Sequence, residues 1–394
     1  MPAYDAVVVG AGPAGSTTAY HLSRAGARVL VVDKARFPRD KPCGGGVTVR
    51  AFLQAPVDLT PVVEQFVQTV RFSYRLGRPF DYRHPRTLVY MTQRQRLDAY
   101  LMERATAAGA VFRDGCAVRD IDVSTKDGVS LVAGDERIDA KVLIGADGAN
   151  GSVAAAVGIA PVTDPQVAIE ANCLYEGDDA PPEWRGMLAL ELGSLAGGYG
   201  WSFPKADHFN IGCGGWRQEG PHLRSHLDAL IDHYDAESLR VAKVHGHHLP
   251  TRTDGAPIVR GRALLVGDAA GLVDPMSGEG IHSAFVSGRL AATAICSLLS
   301  GRSSDLTPYE AAVERELMAD IRAAEVLRDA YHYSSRPCYF ALQHSTLLKR
   351  SLCQIISGER TYTGFLKQLG PLQAMLRYWA NRGRNARQRA LAAV

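Results

Sequence analysis

A chain of 394 residues, 46% apolar and 22% charged with no low-complexity tract, has enough length for two or more domains and a large buried core. Its formal net charge of +3 is too small to mark a nucleic-acid binder. The seven cysteines are scattered without a C-x-x-C pair, which excludes zinc-site and disulfide-framework patterns and suits a reducing compartment. The first strand begins at residue 5, so no signal peptide is expected, and no uninterrupted apolar run has the length of a membrane span. The expectation is a cytoplasmic protein, or one peripheral at the inner face of a membrane.

Asp5 to Val9 has the unbroken apolar character of a strand buried on both faces. It runs into Gly10, Gly12 and Gly15, spaced G-x-G-x-x-G, and Pro13 to Ala25 reads as the following helix. Val29 to Val32 is the second strand, and Asp33 at its end is placed to accept hydrogen bonds from a ribose. The glycines permit a tight turn and close approach of the backbone to a pyrophosphate, and the helix N-terminus supplies N–H groups for it. Strand, glycines, helix, strand and acid in register point to an adenine dinucleotide, with Pro13, Ala14 and Lys34 flanking the same site.

The polar, basic stretch from Lys34 to Lys41 leads to Pro42-Cys43-Gly44-Gly45-Gly46-Val47-Thr48. Three consecutive glycines predict a loop, either lying close against a flat ring or serving as a hinge. Cys43 is the only cysteine in such a context. Val62 to Val89 alternates as strands of a second sheet do, through Val67, Val70, Phe72 and Tyr74, then Leu88 and Tyr90. Arg94 to Ala108 is an amphipathic helix, with Leu97, Leu101 and Ala105 on one face. Val111 to Asp122 and Val129 to Ala133 read as a small antiparallel piece. Lys141 to Ile144 is another buried strand, and it delivers Asp147 of Gly145-Ala-Asp-Gly148 to the strand end where open α/β sheets bind ligands.

Gln166 to Gly215 is β-rich around Gly197-Gly-Tyr-Gly-Trp-Ser-Phe-Pro204, whose alternation puts Tyr199, Trp201 and Phe203 on one face. Such a stripe serves equally as a core-packing face. Leu223 to Tyr234 is a helix and Gly246 to Gly255 a loop. Arg262 to Val266 is a strand that runs into Gly267-Asp268-Ala-Ala-Gly271, and the turn at Gly278 and Gly280 aims the helix that starts near Ile281 at the same region. That helix continues to about Leu299. Thr307-Pro308-Tyr309-Glu310 reads as a capping box opening a helix towards Tyr333, broken by Pro337. Tyr339 to Ile356, ended by Gly358, and Leu372 to about Leu391 are two more. These helices are fit for the walls of an apolar tunnel or for a bundle with no ligand. From Arg377 to Arg389 there are five arginines and no acid, beside Leu376, Tyr378 and Trp379. That pattern fits contact with an anionic membrane or a polar lipid head group, and equally a solvated helix end.

Together these segments resemble the glutathione-reductase-type FAD proteins, a class that includes the aromatic hydroxylases, over about residues 1–300. The resemblance rests on the glycine motif with Asp33, the Arg94-x-x-Leu-Asp98 segment, Gly145-Ala-Asp-Gly148 and Gly267-Asp-Ala-Ala-Gly271. It implies that Asp33 holds the adenosine ribose, that Asp268 holds the ribityl chain and that Arg94 lies beside the cofactor. One departure is Ala154, where the class often carries an arginine. Two further features are similar to the geranylgeranyl reductase family: Lys41-Pro-Cys-Gly-Gly-Gly46, and Tyr199-x-Trp201-x-Phe203-Pro204 followed by Gly212-x-Gly214. This likeness implies reduction of isoprenoid double bonds in a prenyl lipid, prenyl diphosphate or polyprenyl quinone. It also implies a lipid pocket lined by the aromatic signature (Tyr199, Trp201, Phe203, Pro204, Gly212, Gly214) and a Cys43-Gly44-Gly45 loop near the flavin.

The expected fold is α/β, a Rossmann-type FAD-binding domain (1–60, 90–165 and 255–300) with an interleaved β-rich substrate domain (61–89 and 166–254) and a C-terminal helical region (301–394). The expected chemistry is hydride transfer from reduced FAD to an alkene with addition of a proton. Cys43 is the candidate acid or shaper of the slot, against a purely structural role for it, and Tyr199 is the second candidate acid. No second nucleotide-binding glycine pattern is present, so NADPH visiting transiently and a ferredoxin-like donor both fit as the reductant. No metal site and no nucleic-acid partner are expected. The main alternative is an aromatic hydroxylase, which shares the cofactor residues but uses oxygen. A halogenase is disfavoured because Tyr199 replaces the first tryptophan of W-x-W-x-I-P and the usual early lysine is missing. A prenyl-lipid-binding protein with vestigial FAD is opposed by Asp33, Arg94 and Asp268 being intact.

Overall fold

The apolar N-terminal run forms β1 (Tyr4–Val9), followed by α1 (Pro13–Arg24) and β2 (Val29–Val32). The computed structural model describes residues 3–124, 127–160, 166–175, 181–234, 240–252 and 254–392; parts of the expected segments at 161–165, 176–180, 253 and 393–394 lie outside them. The chain continues through β3 (Gly46–Thr48), α2 (Val49–Phe52), β4 (Gln65–Val67), β5 (Thr69–Tyr74), β6 (Phe80–Arg83), β7 (Val89–Met91) and α3 (Arg94–Ala107). Next come β8 (Val111–Arg113), β9 (Val118–Asp122), β10 (Val129–Ala133), β11 (Glu136–Gly145), α4 (Val153–Ala156), β12 (Gln166–Leu174), β13 (Met187–Leu192), β14 (Tyr199–Pro204) and β15 (His208–Gly215). The remainder is α5 (Leu223–His233), β16 (Arg240–Leu249), β17 (Val259–Arg260), β18 (Ala263–Leu265), α6 (Ile281–Leu299) and a C-terminal set of helices. These are α7 (Thr307–Val313), α8 (Ala319–Tyr333), α9 (Ser335–His344), α10 (Thr346–Ile356), α11 (Tyr362–Gln368) and α12 (Leu372–Ala392).

In the first sheet β18, β11, β1, β2 and β8 run parallel in that order, with β17 antiparallel at one edge and β10 and β9 added antiparallel beside β11. Both faces are covered, so Ala6 to Val8 and Val29 to Val32 are buried, as a parallel sheet requires. Among the described residues α6 alone has the length and hydropathy of a membrane span, but it is mostly buried in this core, against α1. A second sheet takes the order β16-β12-β15-β14-β13-β5-β6, and β3, β7 and β4 form a third.

Several expectations need correction. Val111 to Arg113 is no part of an antiparallel piece; its pairing with β2 extends the parallel sheet. Gly46 to Thr48 is a strand, because Val47 and Thr48 pair with Tyr90 and Val89 and draw the last glycine of the loop in with them. The stretch from Val62 to Val89 divides between two sheets. Gly246 to Leu249 continues β16 along β12 and is not loop. Thr307 is the first helical residue and does not cap; Asp305 accepts from its N–H at 2.9 Å and its hydroxyl at 2.6 Å. Glu310 turns instead to the N–H of Ile258 at 3.0 Å. Pro337 breaks nothing: it sits in the first turn of α9, where its missing N–H would have had no helical partner. The break is at Ser334, and Ser345 divides the expected single helix of 339–356 by capping α10 through the N–H of Leu348 at 3.2 Å.

Candidate active site

The glycines after β1 divide by what surrounds them. Gly10 has φ +105°, and a side chain there would overlap the carbonyl of Ala146; one on Gly15 would overlap the carbonyl of Gly10. Gly12 has no such neighbour: a β-carbon there would meet only the terminal nitrogens of Arg39 and Arg94, each at 3.7 Å. An open cradle at the N-terminus of α1, flanked by two guanidinium groups, fits the pyrophosphate of a dinucleotide. Pro13 and Ala14 form the buried first turn beside it.

Both arginines are held by one acid. Arg94 Nε and Nη2 donate to the buried Asp98 at 2.8 and 2.7 Å, and Arg39 Nη2 reaches the same carboxylate at 3.0 Å. Arg39 also lies 3.8 Å from Asp33, which itself accepts from the N–H groups of Ala11 at 2.8 Å and Ala35 at 2.9 Å. Arg39 escaped the sequence reading because it sits in an aperiodic basic loop that also holds Arg36, and nothing local singles it out. Lys34 is exposed at the rim.

Asp147 lies at the end of β11 as expected, but its Oδ2 caps the start of α4 through the N–H groups of Ser152 at 2.7 Å and Val153 at 3.0 Å. Its Oδ1 is buried without a partner, an acceptor left over for a ligand, and burial raises the carboxyl above its usual range. Gly267 packs on Ala14, where an added β-carbon would come within 2.8 Å, so the turn carrying Asp268 meets the first turn of α1. The carboxylate of Asp268 would lie 2.7 Å from a β-carbon on Gly280, and Gly280 directly precedes Ile281, the first residue of α6. Gly278, at φ +69°, completes that turn. Asp33, Arg39, Arg94, Asp268 and two helix N-termini therefore ring one crevice at the carboxyl ends of the parallel strands, and the residues present fit FAD.

The cysteine loop closes over the next part of this crevice. Cys43 N–H donates to Glu170 at 2.7 Å, and Gly45 N–H donates to Cys43 Sγ at 3.3 Å. At Gly44 a β-carbon would meet the Phe203 ring at 2.9 Å and Trp201 Nε1 at 3.4 Å. The loop thus lies directly on the aromatic face of β14. Gly45 has φ +65°, and a side chain there would overlap Thr92 O. From the other side Lys205 donates to the carbonyl of Gly44, and burial lowers this amine to about 8. Lys41 contacts His247 at 3.1 Å; burial, then the nearby Lys41, push His247 down to about 3, so the imidazole is neutral and accepts. Burial and then Arg94 lower the Lys41 amine, and the acids Asp268 and Asp98 oppose the shift.

Tyr199, Trp201 and Phe203 share one face of β14, with ring centroids 6.0 and 6.3 Å apart. Trp201 Nε1 donates to Asn210 at 2.8 Å, and Gly212 opposite leaves room for the indole, which any side chain there would strike. Gly214 pairs with Tyr199 and lies against Val167 O, while Pro204 ends the strand. Tyr199 donates its hydroxyl hydrogen to Ser277 O, and burial, reinforced by Asp274 and Glu279, raises that phenol well above its usual range. Phe203 packs into an apolar cluster with Met91, Leu188, Tyr339, Cys353 and Ile356. The C-terminal helices therefore reach the aromatic face.

The sequence reading also missed Arg50, on α2. It contacts Asp274 at 3.2 Å, Glu279 at 3.4 Å and Asp320 at 3.5 Å, and lies 5.7 Å above the ring of Tyr362. Thr48 donates to the other oxygen of Glu279 at 2.7 Å. One guanidinium thus ties the segment after the cysteine loop, the turn before α6 and the C-terminal helices together.

A family model described as FAD binding domain matches residues 3–174. The chain is 32% identical to geranylgeranyl diphosphate reductase of Rhodobacter capsulatus, covering 88% of this chain and 90% of that one. It is also 32% identical to digeranylgeranylglycerophospholipid reductase 2 of Methanothermobacter thermautotrophicus, over 74% and 78%. A geranylgeranyl bacteriochlorophyll reductase-like structure from Thermoplasma acidophilum has a TM-score of 0.76 at 23% identity, covering 96% of this chain and 99% of that one. A flavin-dependent brominase has 0.74 at 20%, over 97% and 99%, so the fold itself is shared across different chemistries. Identity of 32% across 90% of the Rhodobacter relative, on an FAD-binding fold with the crevice above, makes this chain a member of the geranylgeranyl reductase family of FAD-dependent oxidoreductases.

Proposed function

We propose that this chain saturates carbon–carbon double bonds in a geranylgeranyl or polyprenyl chain. The observation that carries the reading is the position of the Cys43–Gly45 loop, pressed on Trp201 and Phe203 at the side of the crevice. The names of the relatives, which refer to geranylgeranyl diphosphate and digeranylgeranyl phospholipid, support the same substrate class.

In this reading Gly12, Arg39 and Arg94 hold the pyrophosphate of FAD, Asp33 its ribose and Asp268 its ribityl chain. When bound, FAD supplies the hydride that reduces the alkene. An unactivated trisubstituted alkene resists hydride attack, so a proton must reach the neighbouring carbon from an acid of the protein. Trp201 and Phe203 exclude water from the slot, and the substrate side of the chain is 61–89 with 166–254. Tyr199 has its hydroxyl hydrogen committed to Ser277 O, whereas Cys43 Sγ is the acceptor of Gly45 N–H and keeps its S–H to give. Cys43 is therefore the proton donor of this proposal. The reductant is NADPH or a ferredoxin-like donor. Leu372, Met375 and Tyr378 form an exposed apolar row on α12 beside Arg382, and this edge would meet a membrane surface.

The test is anaerobic. FAD on the protein is reduced with dithionite and mixed with geranylgeranyl diphosphate, geranylgeraniol or a polyprenyl quinone already reduced to its quinol, and the flavin absorbance is followed. Reoxidation without oxygen, with products heavier by hydrogen pairs, is expected. If the flavin reoxidises only in air, the reductase reading fails and the hydroxylase takes its place.

A further inference from the structure

A cavity of about 390 Å³ lies away from the crevice, where α8 and α12 face the start of β12 and the chain that follows β16. Its size is that of a small-molecule site. Five arginines line it (Arg252, Arg322, Arg328, Arg384 and Arg387), against two acids, Asp254 and Glu325. Asp254 is taken by Arg322 at 2.7 Å, and Arg322 also pairs with Glu314. Asp329, behind the wall, pairs with Arg328 at 2.8 Å and Arg384 at 3.7 Å. Arg387 lies 5.7 Å over the ring of Trp216. Glu310 and Glu314 pair with Arg252 and Arg322, so with Asp254, Glu325 and Asp329 five acids face the five arginines. Burial holds Glu325 towards its neutral form, which tips the balance to the positive side.

The cavity is also built from buried polar groups. Arg328, Gln166 and Arg252 are 3%, 5% and 6% exposed. Arg252 gives Nε to Ala256 O at 2.8 Å and places Nη2 3.4 Å from Glu310, but its Nη1 is buried with no partner. Thr251 Oγ1, also on the lining, is buried without a partner as well. Two unused donors, one of them on a buried guanidinium, outnumber the one unused acceptor on the lining, Gln166 Oε1, and fit an anion. On the opposite wall Val326 packs into an apolar cluster with Ala323, Tyr362, Leu366 and Met276. Met276 directly precedes Ser277, whose carbonyl takes the hydroxyl of Tyr199. One apolar cluster therefore touches the cavity through Val326 and the turn that holds Tyr199 through Met276.

We propose that this cavity binds the phosphate end of the prenyl substrate, as a diphosphate or a phosphate ester, while the apolar chain runs along that wall. The proposal rests on the prenyl-reductase reading and narrows it to phosphorylated substrates. It also gives Arg384 and Arg387 of the basic C-terminal helix a place in a site and not on a free surface.

The test titrates inorganic diphosphate, and separately inorganic phosphate, into the FAD-loaded protein at low salt by calorimetry. The double variant Arg384→Ala/Arg387→Ala should weaken diphosphate binding at least about ten-fold. The double lysine variant, which keeps the charge, should retain part of it, and unchanged flavin content shows that both variants are folded. Matched titrations of geranylgeranyl diphosphate and of a geranylgeranylated glycerophosphate in one detergent separate the two sources, and the tighter of two arginine-dependent ligands identifies the natural end group. No heat with diphosphate, or equal affinity in the wild type and the alanine variant, overturns the proposal. Reduction of the phosphate-free alcohol geranylgeraniol reports on the chemistry separately. Arginine-dependent diphosphate binding without reduction of any prenyl compound would keep this site and remove the function; reduction without it would do the reverse.

Discussion

Lys205, 2% exposed to solvent, donates its ammonium hydrogen to the carbonyl of Gly44 in the cysteine loop. A cation buried this deeply is costly unless neighbours compensate it, and here the carboxylates of Glu64 and Glu170 do so only in part. Burial lowers the amine from 10.5 to about 8. In the window between those values the unfolded chain holds a proton that the folded chain has lost, so this group makes the protein more stable as pH rises. Lys205→Met removes that slope. Between pH 7.5 and 10 the wild type should gain about 2 kcal/mol on the variant. Urea midpoints at the two pH values measure the difference, and parallel curves would show that Lys205 titrates in the fold as it does in water.

Gly12 and Gly15 separate ligand space from packing space within one motif. Gly15→Ala forces a methyl group into the carbonyl of Gly10 and should destabilise the flavin-free protein by about 3 kcal/mol. Gly12→Ala meets only arginine side-chain ends at 3.7 Å and should cost less than about 1 kcal/mol there. FAD affinity should nevertheless fall at least about ten-fold in Gly12→Ala, because the methyl group occupies the approach to the pyrophosphate. Thermal melts of the flavin-free proteins and flavin titrations test both. Undiminished FAD binding by Gly12→Ala would remove the pyrophosphate from this position.

The strand–glycine–helix–strand–acid order could be read from the sequence because every part of it is local: periodicity, turn chemistry and one acid at a strand end. The same holds for the alternation of Tyr199, Trp201 and Phe203, which the strand geometry of β14 reproduces. What could not be read is long-range. Arg39 and Arg50 act through partners up to 270 positions away, and nothing in their flanking sequence marks them. The capping box failed because Asp305 competed for the same N–H, and Pro337 misled because a proline is harmless in a first helical turn. Ala154, the departure from the class pattern, lies in α4, whose start is held by Asp147.

Arg50 should behave as a clamp. Arg50→Met leaves Asp274, Glu279 and Asp320 without their shared cation, and stranded buried carboxylates of this kind cost about 3 kcal/mol or more. The loss should be smaller at low pH. Burial already raises Glu279 above its usual range, and without Arg50 it rises further, so the folded variant takes up a proton that the unfolded chain lacks. Stability held by that proton is present at low pH and lost as pH rises through the folded value. Denaturant midpoints at pH 5 and 7.5 should therefore bring the variant closer to the wild type at pH 5; a gap independent of pH would count against Glu279 as the stranded group.

Cys43 discriminates most sharply between chemistry and packing. Its sulfur accepts the N–H of Gly45 at 3.3 Å while its own N–H is taken by Glu170 at 2.7 Å, so the backbone of the loop is anchored independently of the thiol hydrogen. Serine preserves the acceptor for Gly45 and is close in size, but it is a far weaker acid. Alanine loses both the acceptor and the acid. If the thiol gives the proton, Cys43→Ser and Cys43→Ala should both slow anaerobic reoxidation of the reduced flavoprotein by a prenyl acceptor by about 100-fold or more, with flavin content retained. If the thiol only supports the loop, serine should react at close to the wild-type rate and alanine alone should be impaired, through lost stability measurable in a melt. A fast serine variant would therefore transfer the search for the acid to the other groups that face the aromatic strand.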